Sequence, residues 1–234
     1  EYGGIPVLID INREKGQAVS DSIKKSFKVD SMFFKADITK ETDVEDILEN
    51  ILNRYNKIDI LINNAANDPK IKNNSSNEPS SRLENFPIDM WESDLDVGLK
   101  GSFICSKIFG SKMASQKHGV ILNIASDLGI IAPDQRIYEK SNIKKHRQVV
   151  KPITYSVVKH GILGLTKYLS TYWSDLGVRS NALLPGGVYQ GQNDDFVEKL
   201  TNLIPLGRMA NEDDYKAAIV FLVSDASSYM TGSS

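Results

Sequence analysis

Short apolar runs alternate with longer amphipathic stretches along this chain, and this alternation limits the possible folds more than any other feature. The strand-like apolar runs occupy residues 5–10, 31–37, 58–64, 119–126 and 178–184. Apolar side chains at helical spacing fill residues 13–28, 43–55, 90–113, 155–176 and 212–224. Parallel strands need such helical crossovers, so the pattern predicts an α/β fold in which helices cover a parallel sheet.

The composition agrees with one folded domain that spans residues 1–234. The chain is 41% hydrophobic and 25% charged, without an internal repeat or a linker, and its length suffices for one sizeable core. A net charge of −2 gives no basic field for nucleic acid or an anionic membrane, so a small molecule is the expected partner. A single Cys105 and no apolar run of membrane length favour the cytoplasm. The three histidines are not spaced as metal ligands, and no metal is predicted.

Tyr155 and Lys159 form the sharpest local motif. Their separation of four residues places both side chains on one helix face, one turn apart. A free tyrosine loses its proton near pH 10, whereas a neighbouring ammonium favours the phenolate. The pair could therefore exchange a proton with a substrate, although the same spacing also arises by chance on many helices.

Small and polar residues follow three of the predicted strands. Ser126 ends one strand, where its hydroxyl can hydrogen-bond a substrate oxygen. The other two strands are followed by Asn64, Ala65 and Ala66 and by Pro185, Gly186 and Val188. Open parallel sheets bind ligands beyond the carboxyl ends of their strands, and small residues allow a ligand close to the backbone. These residues therefore predict a ligand cleft at that edge.

The same motifs, in this order, resemble the short-chain dehydrogenase/reductase family. The resemblance runs from Asn64-Ala65-Ala66 through Ser126, Tyr155 with Lys159 and Pro185-Gly186 to the tail at residues 204–232. It implies a doubly wound, three-layer Rossmann-type fold and NAD(P)-dependent interconversion of an alcohol and a carbonyl. It also implies that Tyr155 is the general acid/base, that Lys159 perturbs it and holds the nicotinamide ribose, and that Ser126 fixes the substrate oxygen.

The resemblance also implies cofactor contacts, of which Asp10 is the most informative. An acid at this strand end hydrogen-bonds the adenosine ribose and repels a 2′-phosphate, which favours NAD over NADP. Alternatively, Asp10 only caps the helix that begins at Arg13. The implied contacts are Asp10, Ile11, Asp37, Ile38, Asn64, Ala65, Ala66, Tyr155, Lys159, Pro185, Gly186 and Val188.

Two departures from the family pattern bear on the chemistry. Gly98 stands where the family has an Asn that holds a water near the lysine, so proton transfer needs another route. The segment between Ser126 and Tyr155 is longer than the family's usual one, and its surplus, residues 133–152, is basic. We expect this insert to recognise an anionic or polyhydroxylated substrate; alternatively, it is a solvated surface insert. Its candidate contacts are Arg136, Lys144, Lys145, His146 and Arg147.

Residues 67–70 and the insert also resemble bacterial oxidoreductases of legionaminic-acid-type sugar pathways, a branch of carbohydrate biosynthesis. We therefore expect an NAD-dependent oxidoreductase that acts on a hydroxyl or ketone of a polar, sugar-like substrate. Two alternatives stay open: a non-catalytic or truncated member that serves in binding or assembly, and a reductase of fatty-acyl or steroid-type ketones. The family usually pairs the helices at residues 98–113 and 155–173 with their own copies, which implies a homodimer or homotetramer.

The family's glycine-rich pyrophosphate loop is missing from this sequence, because only Gly3 and Gly4 precede the strand at residues 5–10. In the 3-2-1-4-5-6 strand order, the family's first strand lies between the strands at residues 5–10 and 58–64. Without it, two inner edges of the sheet are expected to be unpaired. We expect a chain shortened at both ends, with a final strand missing after residue 234.

Overall fold

A computed structural model describes residues 2–67 and 79–234, and within them the strands form two parallel sheets. The strands are β1 (Val7–Asp10), β2 (Met32–Lys35), β3 (Ile60–Asn63), β4 (Gly119–Ile124) and β5 (Val178–Leu183). β1 pairs with β2, and β4 lies between β3 and β5. Helices join successive strands, so the predicted Rossmann-like α/β fold with parallel strands is confirmed.

The helices follow the predicted pattern with two differences. They are α1 (Arg13–Phe27), α2 (Glu41–Tyr55), α3 (Ile88–Leu95), α4 (Ser102–Gln116), α5 (Ile153–Tyr172), α6 (Asp194–Thr201) and α7 (Lys216–Val223). A π-helical turn at Asp96–Gly101 divides the predicted helix at residues 90–113 into α3 and α4. The sequence pattern predicts no helix at α6, which Asn193 caps by accepting a hydrogen bond from the Phe196 N–H. None of the described helices has the length and apolar character to cross a bilayer.

The main core lies where α2, α4 and α5 meet the strands. Val44 of α2, Met113 of α4 and Ile121 of β4 are fully buried in one apolar cluster. Trp173, next to the end of α5, packs against Gly110 so closely that a Cβ at Gly110 would lie 2.4 Å from the indole ring. This contact holds α5 close to α4 and thereby fixes the helix that carries Tyr155.

The described strands leave a gap between the two sheets. In the described residues, β1 and β3 each pair along one edge, to β2 and β4 respectively. The side chains of Ile60 and Ile62 on β3 are 43% and 44% exposed, a large exposure for apolar residues of a strand. The two open inner edges therefore appear as predicted, and the shortening of the chain stays a prediction.

Residues 231–233 lie along the edge of β5 that faces away from β4. The Gly232 N–H donates to the Ser180 carbonyl at 2.7 Å, and the Ala182 N–H donates to the Ser233 carbonyl at 2.8 Å. The Asn181 side chain donates to the Met230 carbonyl at 2.9 Å. These bonds attach residues 230–233 to the edge of β5 that β4 leaves open.

Buried amides tie the strands to the helices beneath the site. The Asn63 amide on β3 donates to Ser106 Oγ of α4 at 3.0 Å and to Asn123 Oδ1 of β4 at 2.8 Å. The Asn123 amide donates to Thr166 Oγ1 of α5 at 2.9 Å. Because these groups are buried, each bond is strong and a broken one would be costly. The network therefore fixes β3, β4 and α5 relative to each other.

Candidate active site

Tyr155 and Lys159 lie on the first two turns of α5, which begins just after Pro152. The Lys159 side chain reaches the carboxyl end of β4, where its ammonium donates to the Ile124 carbonyl at 2.9 Å. Lys159 is 8% exposed, and its Nζ lies 5.8 Å from the centre of the Tyr155 ring. An ammonium held this close to a phenol favours the phenolate. The structure therefore brings together the two residues that the spacing selected.

A cleft opens beside this pair. Its lining in the described part of the chain consists of Ala66, Asn67, Asp94, Gly98, Lys151, Pro152, Thr154, Tyr155, Val158 and Lys159. The residues Ala66 and Gly98 and the pair Tyr155 and Lys159 lie far apart in the sequence and meet here. A ligand in the cleft therefore contacts both the phenol and the residues that surround it.

Ser126 lies two residues beyond β4 and is 4% exposed. Its hydroxyl donates to Asp127 Oδ1 at 2.7 Å and accepts a hydrogen bond from the Leu128 N–H at 3.3 Å. Ser126 is not among the described residues that line the cleft. To donate to a substrate oxygen, the hydroxyl must rotate away from Asp127, so its role toward the substrate stays a prediction.

Gly98 lies in the π-helical turn and packs directly against α5. A Cβ at this position would lie 2.4 Å from Val158 Cγ1. Val158 thus fills the volume that the side chain of the family's Asn would need. The Gly98 carbonyl accepts a hydrogen bond from Ser102 Oγ at 2.9 Å. The glycine in place of the family's Asn at position 98 therefore leaves the space that Val158 occupies.

Two polar pairs border the cleft, and the sequence pattern indicated neither of them. Asp94 of α3 is 8% exposed and accepts a hydrogen bond from Thr154 Oγ1 at 2.6 Å. This bond ties α3 to the residue that precedes Tyr155. The Asn67 amide donates to the carbonyl and the hydroxyl of Ser93, at 3.2 and 3.1 Å. In the sequence, the one feature that could have indicated Asp94 as a cleft residue is its position one turn before Gly98 on the same helix face.

Asp10 ends β1 and is exposed, and its Oδ1 accepts a hydrogen bond from the Asn12 N–H at 2.7 Å. The cap of α1 is Asn12, whose side chain accepts a hydrogen bond from the Lys15 N–H at 2.9 Å. The alternative that Asp10 caps this helix is therefore wrong, because Asn12 occupies the cap position. Ile11 beside it is 70% exposed. Both predicted contacts are accessible to a ligand at this strand end.

Asp37 follows β2 and is held by its own loop. Its Oδ1 accepts hydrogen bonds from the Thr39 hydroxyl at 2.7 Å and the Thr39 N–H at 3.0 Å. These bonds lower the pKa of the Asp37 carboxyl below its usual range, and the bond from the Thr39 hydroxyl has the largest effect. The Ile38 side chain packs on Gly101, where a Cβ would lie 2.6 Å from Ile38 Cδ1. Asp37 is thus a fixed carboxylate, whereas the Ile38 side chain belongs to the core.

The segments after β3 and β5 complete this edge of the fold. After β3, Asn64, Ala65 and Ala66 are exposed; after β5, Pro185, Gly186 and Val188 are half-buried. The Asp127 N–H donates to the Pro185 carbonyl at 3.2 Å, and the Gly186 N–H donates to Tyr215 Oη at 2.9 Å. The first bond joins the loops after β4 and β5, and the second attaches the loop after β5 to the residue that precedes α7.

The strand ends offer contacts for the riboses of a nicotinamide dinucleotide, whereas the glycine-rich loop for its pyrophosphate is missing from this sequence. Asp10 ends a parallel strand, and Asp37, Ala66 and Pro185 each follow one, at the edge where open sheets of this kind bind nucleotides. Asp10 is exposed and can accept hydrogen bonds from a ribose diol. When bound, such a cofactor supplies or takes up the hydride. Asp10 and Lys159 are the residues we expect to hold its two riboses.

The insert at residues 133–152 is folded, with 3₁₀ turns at Gln135–Tyr138 and Lys145–Arg147. The buried Gln148 side chain holds both backbone groups of Lys140, at 2.9 and 2.7 Å. Ser81 Oγ accepts a hydrogen bond from the Val150 N–H at 3.2 Å. Of residues 67–70, which carried part of the sugar-pathway resemblance, 68–70 lie outside the described residues.

The insert also contacts α6. The rings of Tyr138 and Phe196 lie 5.5 Å apart, and Lys199 Nζ donates to the Glu139 carbonyl at 2.6 Å. The insert is therefore attached to the fold at these points, while its basic side chains at residues 136 and 144–147 are exposed. The alternative of a solvated surface insert is compatible with this arrangement.

The predicted basic contacts of the insert are arranged differently from expectation. Arg136 binds Asp134 through Nε at 2.8 Å and through Nη2 at 2.6 Å, and these bonds lower the pKa of Asp134 to about 2. Of the described residues, those that line the cleft include none of the five predicted basic contacts. Among the described lining residues, the insert cation that reaches the cleft is Lys151, which is not one of the five predicted contacts. Because Pro152 interrupts the helical spacing between Lys151 and Tyr155, the sequence pattern does not indicate that Lys151 lies in the cleft.

Comparison with protein families gives a match over residues 1–234 to a family described as enoyl-(acyl carrier protein) reductase. An uncharacterized oxidoreductase of Thermotoga maritima is 30% identical, with 100% of this chain and 85% of the relative covered. An NAD-dependent glycerol dehydrogenase of Listeria innocua is 30% identical, over 99% of this chain and 82% of the relative. A 3-oxoacyl-(acyl-carrier-protein) reductase of Staphylococcus epidermidis is 26% identical, over 94% and 81%.

Two solved structures share the fold. An NAD⁺-bound xylitol dehydrogenase superposes with a TM-score of 0.83 at 22% identity, covering 99% of this chain and 87% of that one. A gluconate 5-dehydrogenase of Burkholderia cenocepacia, in complex with NADP and tartrate, has a TM-score of 0.79 at 24% identity, covering 97% and 81%. These similarities agree with the parallel strands and crossover helices described above.

Proposed function

The chain belongs to the short-chain dehydrogenase/reductase family and is an oxidoreductase. We propose that it uses NAD to interconvert a hydroxyl and a carbonyl group on a polar, sugar-like substrate. The observation that carries the proposal is the pairing of Tyr155 with Lys159 in one cleft, with Lys159 anchored to the carboxyl end of β4.

In the proposed reaction, Tyr155 exchanges the proton of the reacting group. During reduction the phenol donates its proton to the carbonyl oxygen, and during oxidation the phenolate accepts the hydroxyl proton. Lys159 stabilises the phenolate through its nearby positive charge. Its bond to Ile124 holds the ammonium in place, so little reorganisation is needed when the charge on Tyr155 changes.

The lining of the cleft supports a hydrophilic substrate. Asn67, Asp94 and Lys151 present polar or charged groups there, and a polyol or sugar can satisfy such groups with its hydroxyls. The name of the Listeria relative, a glycerol dehydrogenase, favours the same class. The Staphylococcus relative and the family description favour an acyl-thioester ketone instead, so this second candidate class is included in the test.

NAD rather than NADP is proposed from the position of Asp10. Its exposed carboxylate ends β1, and a second negative charge on a ribose 2′-phosphate would be repelled there. We propose that the same carboxylate accepts hydrogen bonds from the ribose hydroxyls of NAD.

The proposal is tested by titrating the full chain with NADH and NADPH under fluorescence detection, followed by turnover assays. The assays compare polyols and keto sugars with β-ketoacyl thioesters. We expect tighter binding of NADH and turnover of a polyol or keto sugar. Tyr155→Phe should lower kcat by roughly 10²–10⁴-fold and retain NADH binding, whereas the control Tyr229→Phe, on a fully exposed tyrosine, should match the wild type.

Each other outcome rejects a defined part of the proposal. Binding of neither cofactor would reject the enzyme and favour a role in binding or assembly. Turnover restricted to acyl thioesters would reject the sugar-like substrate. Equal activity of Tyr155→Phe and the wild type would reject Tyr155 as the acid/base.

A further inference from the structure

We propose that Lys151 is a second cation acting on Tyr155, a positioning residue whose ammonium packs on the phenol ring and stabilises its ionised form. The inference rests on the proposed function, since it assigns a role in supporting the same acid/base. Lys151 Nζ lies 3.6 Å from the centre of the Tyr155 ring, closer than Lys159 Nζ at 5.8 Å. A cation at this distance from an aromatic face is strongly attracted to it.

The backbone of Lys151 is held in position by the insert. Its N–H donates to Gln135 Oε1 at 2.8 Å, and Pro152 follows directly and leads into α5. Proline restricts the conformation of the residue before it, so the direction of the Lys151 side chain is limited. The long insert between Ser126 and Tyr155 thus has a physical use: it delivers a charge to the phenol.

Charges of both signs surround Tyr155, so the loss of the Lys151 charge should change the ionisation of the phenol. Lys151 and Lys159 approach the ring itself. Asp94 accepts a hydrogen bond from Thr154, the residue before Tyr155, and lines the same cleft. Its carboxylate opposes ionisation of the phenol, and the two ammonium groups favour it. Removal of one ammonium therefore shifts this balance toward the protonated phenol.

The packing at Gly98 explains why a second cation is useful here. Val158 fills the space that a side chain at position 98 would need, so an amide cannot be accommodated there to support the lysine. Gly98, Val158 and Lys151 line the same cleft. Among its described lining residues, the cations are Lys151 and Lys159. Support for the phenolate therefore comes from these two side chains.

A competing role for Lys151 is direct binding of an anionic group on the substrate. The two roles differ in what they change. A contact to the substrate affects KM for acidic substrates and leaves the ionisation of Tyr155 in the free protein as it is. A charge that acts on the phenol changes that ionisation even without substrate or cofactor.

The test follows the ionisation of Tyr155 directly, in the full chain without ligand. Protein labelled with ¹³C at tyrosine Cζ is titrated by NMR, and the Tyr155 signal is identified by its loss in Tyr155→Phe. Lys151→Met removes the charge and keeps the chain length, Lys151→Arg retains the charge, and Lys140→Met removes an exposed charge elsewhere in the insert. The pH dependence of kcat and KM is then measured for the same variants.

We expect the Tyr155 titration midpoint to rise by roughly 0.5–1 pH unit in Lys151→Met. Lys151→Arg and Lys140→Met should stay close to the wild type. The acidic limb of kcat for oxidation should move upward by the same amount, with little change in KM. An unchanged midpoint in Lys151→Met overturns the proposal, and a raised KM for acidic substrates alone assigns Lys151 to substrate binding. Absence of turnover in the wild type would reject the proposed function, while the NMR titration would still decide the effect of Lys151.

Discussion

Gly98 and Val158 share one volume, so a change at either position has to be judged with the other. A Cβ at Gly98 would lie 2.4 Å from Val158 Cγ1, and a β-branched side chain has few ways to move aside. We expect Gly98→Asn to lower the free energy of unfolding by about 1–3 kcal/mol, the usual cost of overpacking. Denaturant titration measures this change.

The double variant separates packing from chemistry. Val158→Ala should recover much of the stability lost in Gly98→Asn, because it vacates the contested volume, and a double-mutant cycle measures the coupling. Additive effects of the two substitutions would contradict the shared volume. If the double variant also turns over faster than Val158→Ala alone, the added amide is contributing to proton transfer as in the family pattern.

Cys105 is a buried thiol, and burial raises its pKa to about 12. At pH 8 the native protein would then hold roughly one thiolate per ten thousand molecules, so we expect negligible reaction with a disulfide reagent such as DTNB. Guanidinium-unfolded protein should react within seconds to minutes. Because the pKa is raised on folding, its contribution to stability is present below about pH 8.5 and is lost as the pH rises toward 12. Rapid labelling of the native protein at pH 8 would contradict this burial.

At the scale of single residues, the sequence predicted the reacting pair because helical spacing is a local property. The four-residue separation of Tyr155 and Lys159 fixes their proximity once α5 forms. Lys151 has the same separation from Tyr155, but Pro152 intervenes, so its approach depends on the bond from its backbone to Gln135. Contacts that depend on a folded loop leave no periodic pattern to find.

At the scale of elements, the amide network across β3, β4 and α5 determines how firmly the strand ends are placed. Asn123→Ala removes the acceptor of Asn63 and the donor to Thr166. Both partners are left with unmet hydrogen-bonding capacity in a buried site, so we expect a loss of about 2–4 kcal/mol in the free energy of unfolding. Thermal and denaturant unfolding measure the loss.

The matched control is Asn50→Ala on the exposed face of α2, where the side chain binds only the Asp46 carbonyl among the contacts of the described residues. We expect a change within about 0.5 kcal/mol there. Equal losses of unfolding free energy in Asn123→Ala and Asn50→Ala would show that the buried network contributes no more to stability than an exposed hydrogen bond.

The elements also show where sequence patterns lose their predictive value. The five described strands all coincide with short apolar runs, so they were predictable, although only β4 and β5 are mostly buried. The π-helical turn at Asp96–Gly101 inserts into an unbroken amphipathic pattern, and periodicity does not reveal it. α6 has eight residues and depends on its Asn193 cap and on contact with the insert through Phe196. Short elements that need tertiary partners are not specified by their own sequence.

At the scale of the whole molecule, the apolar surface suggests how copies of the chain associate. Three aromatic residues at the end of α5 differ in exposure: Trp173 is buried in the core, whereas Tyr168 and Tyr172 are 61% and 58% exposed. Their rings stack on each other at 5.4 Å, and Phe103 on α4 is 54% exposed. Large aromatic side chains exposed together are typical of protein interfaces.

We therefore expect the full chain to form a homodimer or homotetramer through the exposed face of α4 and α5. The double variant Tyr168→Lys/Tyr172→Lys places two charges in that face, and their desolvation should weaken association at least about tenfold, equivalent to roughly 1.4 kcal/mol. Sedimentation velocity across a concentration series measures the change. The control Tyr229→Lys alters a fully exposed tyrosine outside α4 and α5 and should sediment like the wild type. A monomeric wild type would contradict the expected association. Equal association of all three proteins would contradict an interface on this face, because burial of two lysine charges there should cost free energy.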